Sequence, residues 1–357
     1  MTEKPKASSE GIGEVLRDLP SLSLPQFVVP SFDSLGRLLW MVMLPSPHGP
    51  EKSVAIIYDW FKHPEVWEER RPLHLAGESP DMQEVLMRNF LANTRLGFEQ
   101  DWKKLYGAEK GKTAIILSCG PSISDDVEEI KKLRMQKDKY FTIGFNRAGR
   151  LMNLDYFVSV DRRAKSRKDQ LHQDWMDQAP GKNCKLISST TGCPDIVSMF
   201  EPAQRYWGES MIGGLDAGNA RMATGLGITL CETMNVAARL GASELLLYGC
   251  DFAIPVIAER DAQGLIKFTE TKYYFDVSAS DGLALRRSMY THEWIIRGKD
   301  GNPIAINYEL IANCAYMQCM ATMLRHNGIT VTDKTKSGIP WDGGARVSNA
   351  RGPSYIR

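Results

Sequence analysis

The chain has 357 residues, of which 43% are hydrophobic, 24% charged and 9% aromatic. That is enough apolar material for a sizeable core, and it argues against wholesale disorder. Lys and Arg number 44 against 43 Asp and Glu, a net charge of +1, so no global field recruits nucleic acid or an anionic membrane.

The amino terminus, MTEKPKASSE, lacks the apolar stretch of a signal peptide. The longest apolar run, Leu38 to Leu44, falls far short of the roughly 20 residues that span a bilayer. A soluble, cytoplasmic protein without a membrane span is expected. The seven cysteines (Cys119, Cys184, Cys193, Cys231, Cys250, Cys314 and Cys319) form no CxxC pair, and the six histidines are scattered. The cysteines therefore read as buried thiols in a reducing compartment, and no metal site is expected.

Residues 1–50, rich in Pro, Ser and Gly, read as an extended arm. Residues 51–110 read as mostly helical, with apolar positions at helix spacing from Asp81 to Tyr106 (Val85, Leu86, Phe90, Leu91) and aromatics at Trp60, Trp67 and Trp102. A different pattern begins at Lys112. Strands are predicted at Thr113–Ser118, Phe141–Phe145, Tyr156–Val160, Lys185–Ser189, Glu244–Gly249 and Gly328–Thr332. Helices are predicted at Asp125–Gln136, Ile228–Leu240 and Tyr308–Arg325. Strands alternating with helices over residues 111–340 imply an α/β, Rossmann-like fold with a mainly parallel sheet and helices on both faces. Residues 254–300 read as a lid insertion and 341–357 as a carboxy-terminal tail.

Ligands on such sheets bind beyond the carboxyl ends of the strands, so the loops there carry the candidates. Gly120, Pro121 and Ser122 follow the first strand. They suit close backbone approach to a phosphate, and equally a tight turn with Ser122 or Ser124 capping the next helix. Asn146, after the second strand, suits a base or ribose contact or an Asx turn. The Thr224-Gly225 stretch opening the Ile228 helix is an anion-binding candidate. Asp251, ending an apolar strand, suits a ribose hydroxyl, a metal or a local cap. None of these loops matches GxxxxGK[ST] or GxGxxG, which disfavours P-loop kinases and dehydrogenases. Arg162, Arg163, Lys165, Arg167 and Lys168 make a solvated helix face or a site for diphosphate, an acidic sugar or a nucleic-acid acceptor. The insertion carries Tyr273, Tyr274, Asp276, Arg286, Arg287, Tyr290, Glu293 and His292, the last a candidate general base.

Together, CGPSISDD, GFNRAG, DYFVSVD and ATG…GASELLLYGCDFA resemble the MptE-like superfamily. That group includes archaeal 6-hydroxymethylpterin diphosphokinases and motility accessory factors that glycosylate flagellin. The same loop order is similar to bacterial sialyltransferases that use CMP-sugars. The resemblance implies a transferase with Gly120, Pro121 and Ser122 as nucleotide-phosphate loop, and Asn146, Thr224 and Gly225 as further nucleotide contacts. It also implies catalytic roles for Asp251 and Asp161. Cys119 replaces a sialyltransferase Asn, and Ser159-Val-Asp161 replaces the paired acids of the diphosphokinases. The expected donor is a CMP-sugar or another nucleotide sugar, with glycosyl transfer to a sugar, protein or pterin-like acceptor. The alternatives are ATP with Mg2+ in a diphosphokinase acting on a hydroxymethylpterin-like alcohol, and a non-catalytic nucleotide-binding protein.

Overall fold

The computed structural model describes Leu19 and residues 28–46, 49–63, 73–74, 79–161, 183–209, 212–213, 215, 218–220, 222, 228–260, 266–274, 277–278 and 293–341. The first elements are three strands, β1 (Val28–Phe32), β2 (Leu38–Ser46) and β3 (Gly49–Tyr58), followed by helix α1 (Pro80–Leu96). The main body then runs β4 (Thr113–Leu117), a 3-10 turn (Pro121–Asp126), α2 (Val127–Arg134), β5 (Tyr140–Phe145), β6 (Tyr156–Ser159) and β7 (Lys185–Ser189). It continues through α3 (Pro194–Ser198), β8 (Arg205–Gly208), α4 (Thr229–Arg239) and β9 (Glu244–Tyr248). After these come β10 (Ile254–Arg260), β11 (Ile266–Glu270), β12 (Glu293–Arg297), β13 (Pro303–Asn307), α5 (Tyr308–His326) and β14 (Thr330–Asp333).

Seven strands form one sheet in the order β14-β9-β4-β5-β6-β7-β8, and every neighbouring pair is parallel. The central strand β4 explains why. Ala114 and Ile116 enter the apolar cluster built with α4 and α5, whereas Ile115 and Leu117 enter the cluster built with α2 and α3. A strand buried on both faces reads as an unbroken apolar run and needs a helical layer on each side. The expected α/β, Rossmann-like architecture is the observed one.

Chain order also locates the crevice. From β4 the chain moves outward through β5, β6, β7 and β8, then returns to place β9 on the other side of β4. The order reverses between β4 and β9, and in open α/β sheets ligands bind beyond the carboxyl ends of the strands at such a switch point.

The amino-terminal reading needs correction. The stretch assigned to an extended arm contains β1 and β2, and β3 crosses into the region read as helical; the three make an antiparallel meander. Trp40 and Val42 are buried in the main core, and α5 packs against β2. The apolar run Leu38 to Leu44 is strand β2, buried at Leu38, Leu39, Trp40 and Val42 with Met41 half-buried, and prolines within β1 (Pro30) and β2 (Pro45) hid the strand pattern. Trp60 and Trp102 are buried in the main core; Trp67 lies outside the described residues.

Strands from the stretch read as a lid insertion, joined by β13 just beyond it, form a four-stranded antiparallel sheet ordered β11-β10-β13-β12. Among the described residues no helix is long and apolar enough to cross a membrane. All seven cysteines are buried, and none forms a disulfide.

Candidate functional site

At the β4–β9 reversal the two strand ends are bonded to each other. The Ser118 N–H donates to the Tyr248 carbonyl (2.9 Å) and the Gly120 N–H to the Gly249 carbonyl (2.9 Å). Beyond this seam Ser122 donates its N–H to Asp251 Oδ2 at 3.3 Å. Asp251 thus tethers the turn that follows β4, a contact across 129 residues rather than a local cap. The other carboxylate oxygen, Oδ1, is buried without a hydrogen-bond partner. A buried acceptor left open is costly and is the kind of group a ligand satisfies.

Glycine is required at 120 for a specific reason. A Cβ there would collide with Asp251 Oδ2 and the Gly249 carbonyl oxygen. Gly249 itself has φ of +68°. Two non-glycine residues beside the seam, Asn146 and Phe252, also hold left-handed backbones, each with φ of +48°. Asn tolerates this conformation; an aromatic residue does so at a cost that the surrounding structure must offset.

A cavity of about 310 Å³ opens here. Gly120, Asn146, Asp251 and Phe252 line one side, the first residues of α4 another, and Glu309, Leu310 and Asn313 on the first turns of α5 a third. Helix α4 begins at Ile228, whose side chain cannot cap it. The N–H groups of Thr229 and Leu230 therefore have no partner within the helix, and both residues border the cavity. The positive end of an 11-residue helix faces the space that Asp251 borders.

Burial dominates the electrostatics of Asp251. It pushes the carboxyl up to about 7, with the Ser122 hydrogen bonds and the Lys299 charge only partly opposing it. Near neutrality this group both gives up and takes up a proton. Burial likewise raises the thiols of Cys231, Cys250 and Cys314 well above their ordinary value, so they stay protonated at neutral pH.

The structure thus brings Gly120, Asn146 and Asp251 to one cavity, with Pro121 and Ser122 on the adjoining turn. Asp161 stands elsewhere: it follows β6, three strand positions from β9, roughly 14 Å along the sheet edge at the usual spacing. Its carbonyl accepts the Cys193 N–H at 2.9 Å, and it does not border the cavity. Thr224, Gly225, His292 and the basic run Arg162–Lys168 lie outside the described residues. The α5 wall escaped the sequence reading, since Glu309 and Asn313 sit in a helix that reads as core. Their i, i+4 spacing just after the Asn307 cap was the available signal. Among the described residues no three His, Cys, Asp or Glu gather as metal ligands.

Comparison with known proteins agrees with the region that carries this geometry. Residues 88–256 match the family described as 6-hydroxymethylpterin diphosphokinase MptE-like. The match runs from within α1 through the Asp251 loop and stops before β13, α5 and β14. No curated protein matches the chain.

Proposed function

We propose, taking the MptE-like character of residues 88–256 as the premise, that this protein is a nucleotide-dependent transferase whose reaction takes place in the β4–β9 crevice. The observation that carries the reading is Asp251, a buried carboxyl poised near neutrality with one oxygen unpartnered, on a cavity that also receives a helix amino terminus.

The donor phosphate lies against the Thr229 and Leu230 N–H groups, where the α4 dipole favours negative charge. Gly120 lets the donor approach the backbone of the β4 loop. The reaction we favour is glycosyl transfer from a nucleotide sugar. The acceptor hydroxyl attacks the anomeric carbon, its proton passes to the Asp251 carboxylate, and the bond from that carbon to the donor's phosphate oxygen breaks. The nucleotide leaves with that electron pair, stabilised by the helix end. A base with a pKa near the working pH suits this step.

The family's description favours a second reading, pyrophosphoryl transfer from ATP to a hydroxymethylpterin-like alcohol. Mg2+ in such sites is usually held by one or two carboxylates and substrate phosphates. Asp251 and Glu309, which both border the cavity, are the side chains that fit this ion, and it would supply charge neutralisation of the phosphates. A transfer assay separates the two readings. CMP-, UDP- and GDP-sugars are run beside ATP plus hydroxymethylpterin, with Mg2+ and with excess EDTA. Release of nucleotide from a sugar donor, lost in Asp251→Asn, supports the first. AMP formed with a pterin diphosphate, abolished by EDTA, replaces it with the second. Binding without turnover of any donor points to a nucleotide-binding protein instead.

A further inference from the structure

The last described segment of the chain, beyond both β14 and the family-matched region, wraps around the Asp251 loop. The Lys334 N–H donates to the Leu247 carbonyl (2.9 Å), continuing the β9–β14 pairing past the strand end. Thr335 is buried, and its hydroxyl oxygen accepts the Cys250 N–H at 2.9 Å while its own proton points to the Leu247 carbonyl at 3.4 Å. Gly338, with φ of +99°, lies so close over Asp251 that a Cβ would strike that residue's Cα and carbonyl group. The next residue, Ile339, donates its N–H to the Asp251 carbonyl (2.9 Å).

These contacts hold the backbone on both sides of the Asp251 side chain. Two further ties anchor the segment. Lys299 pairs with Asp333 at 2.6 Å, and its N–H donates to the Gly338 carbonyl at 3.0 Å. Lys336 pairs with Asp126, at the end of the 3-10 turn whose Ser122 N–H holds the Asp251 carboxylate. The segment therefore reaches both walls of the crevice, the β9 loop through Thr335 and Ile339 and the β4 loop through Lys336. Ile339 and Trp341 then bury its end in the core.

We propose that residues 333–341 form a clasp that fixes the Asp251 carboxyl against the β4 loop, with Thr335 and Gly338 as its positioning residues. Phe252, which follows Asp251 in a left-handed backbone, keeps that costly conformation because the clasp closes over the preceding residue. The consequence for the crevice rests on the reading given above, in which Asp251 handles a proton beside a bound nucleotide.

The test separates the two ideas. Protein labelled with carboxyl-13C aspartate is titrated by NMR, and the Asp251 signal is assigned by its loss in Asp251→Asn. Thr335→Val keeps the shape of the side chain and removes the acceptor for the Cys250 N–H; Thr335→Ser restores it. In Thr335→Val the loop loosens, water reaches the carboxyl, and the Asp251 midpoint falls by about one unit or more, while Thr335→Ser stays with wild type. The same samples are titrated calorimetrically with CMP and with ADP, and Thr335→Val binds the ligand about tenfold or more weakly. An Asp251 midpoint identical in wild type and Thr335→Val overturns the clasp. Should Thr335→Val lack a cooperative melt, Lys336→Met, which cuts only the tie to Asp126, takes its place; there too an unmoved midpoint overturns the proposal. A midpoint that moves while neither CMP nor ADP binds wild type supports the clasp and removes the nucleotide reading.

Discussion

The carboxylate of Asp251 occupies the space in which a side chain at Gly120 would begin. Two residues 131 positions apart are therefore fitted to each other across the seam between β4 and β9, and neither changes without the other. Gly120→Ala must displace the carboxylate or the Gly249 carbonyl. We expect a stability loss of about 1–3 kcal/mol, as for other overpacked sites, together with a large loss of nucleotide affinity. Thermal melts and calorimetry with CMP and ADP measure both. Unchanged affinity in a folded Gly120→Ala protein contradicts the assignment of this loop.

Asp251 also makes stability depend on pH. Its folded pKa, about 7, lies above that of an unfolded aspartate, so between the two values the native state binds more protons than the unfolded state. The contribution is fully present below about pH 4 and is lost as pH rises through 7, by up to about 4 kcal/mol. Asp251→Asn keeps the shape and removes the titration. It should melt at a higher temperature than wild type at pH 8, with the difference vanishing near pH 4, and it should lose transferase activity. Equal melting curves at both pH values would mean that the carboxyl is not buried as described.

The start of α4 offers a test with opposite signs. Ile228 cannot cap the helix, so Ile228→Asp supplies the missing acceptor and a favourable charge, worth about 0.5–1 kcal/mol of stability. The same negative charge competes with an incoming phosphate. The variant should be at least as stable as wild type yet bind nucleotide about tenfold or more weakly. Unaltered affinity would remove the helix end from the site.

Asp161→Ala should leave nucleotide affinity within about twofold, because Asp161 stands three strand positions from Asp251 and does not border the cavity. A calorimetric loss comparable to that of Asp251→Asn would show that the site extends along the sheet edge to β6.

How much of this was legible in the sequence follows from how each element is buried. Strands β4, β6, β7 and β9 carry apolar side chains on both faces of the sheet, so runs such as Thr113–Leu117 and Glu244–Tyr248 announce themselves, and Gly120, Asn146 and Asp251 could be placed after strand ends. The edge strand β8, Arg205–Gly208, has only four residues and no apolar run. The β1–β3 meander is interrupted by Pro30 and Pro45, and β1 is mostly exposed. The grip on Asp251 was hidden more deeply. Thr335 acts through its side-chain hydroxyl, and Gly338 through close backbone packing, on a loop some 85 residues earlier, which no local periodicity records.

Everything proposed for the β4–β9 crevice depends on a nucleotide binding there with its phosphate at the start of α4. The most direct measurement is a crystal structure of the protein with CMP or ADP bound. The expected result is phosphate oxygens within hydrogen-bond distance of the Thr229 and Leu230 N–H groups, and the nucleotide's reactive end beside the Asp251 carboxyl. A nucleotide found instead along the β6–β7 edge near Asp161, with the Asp251 cavity empty, would contradict it.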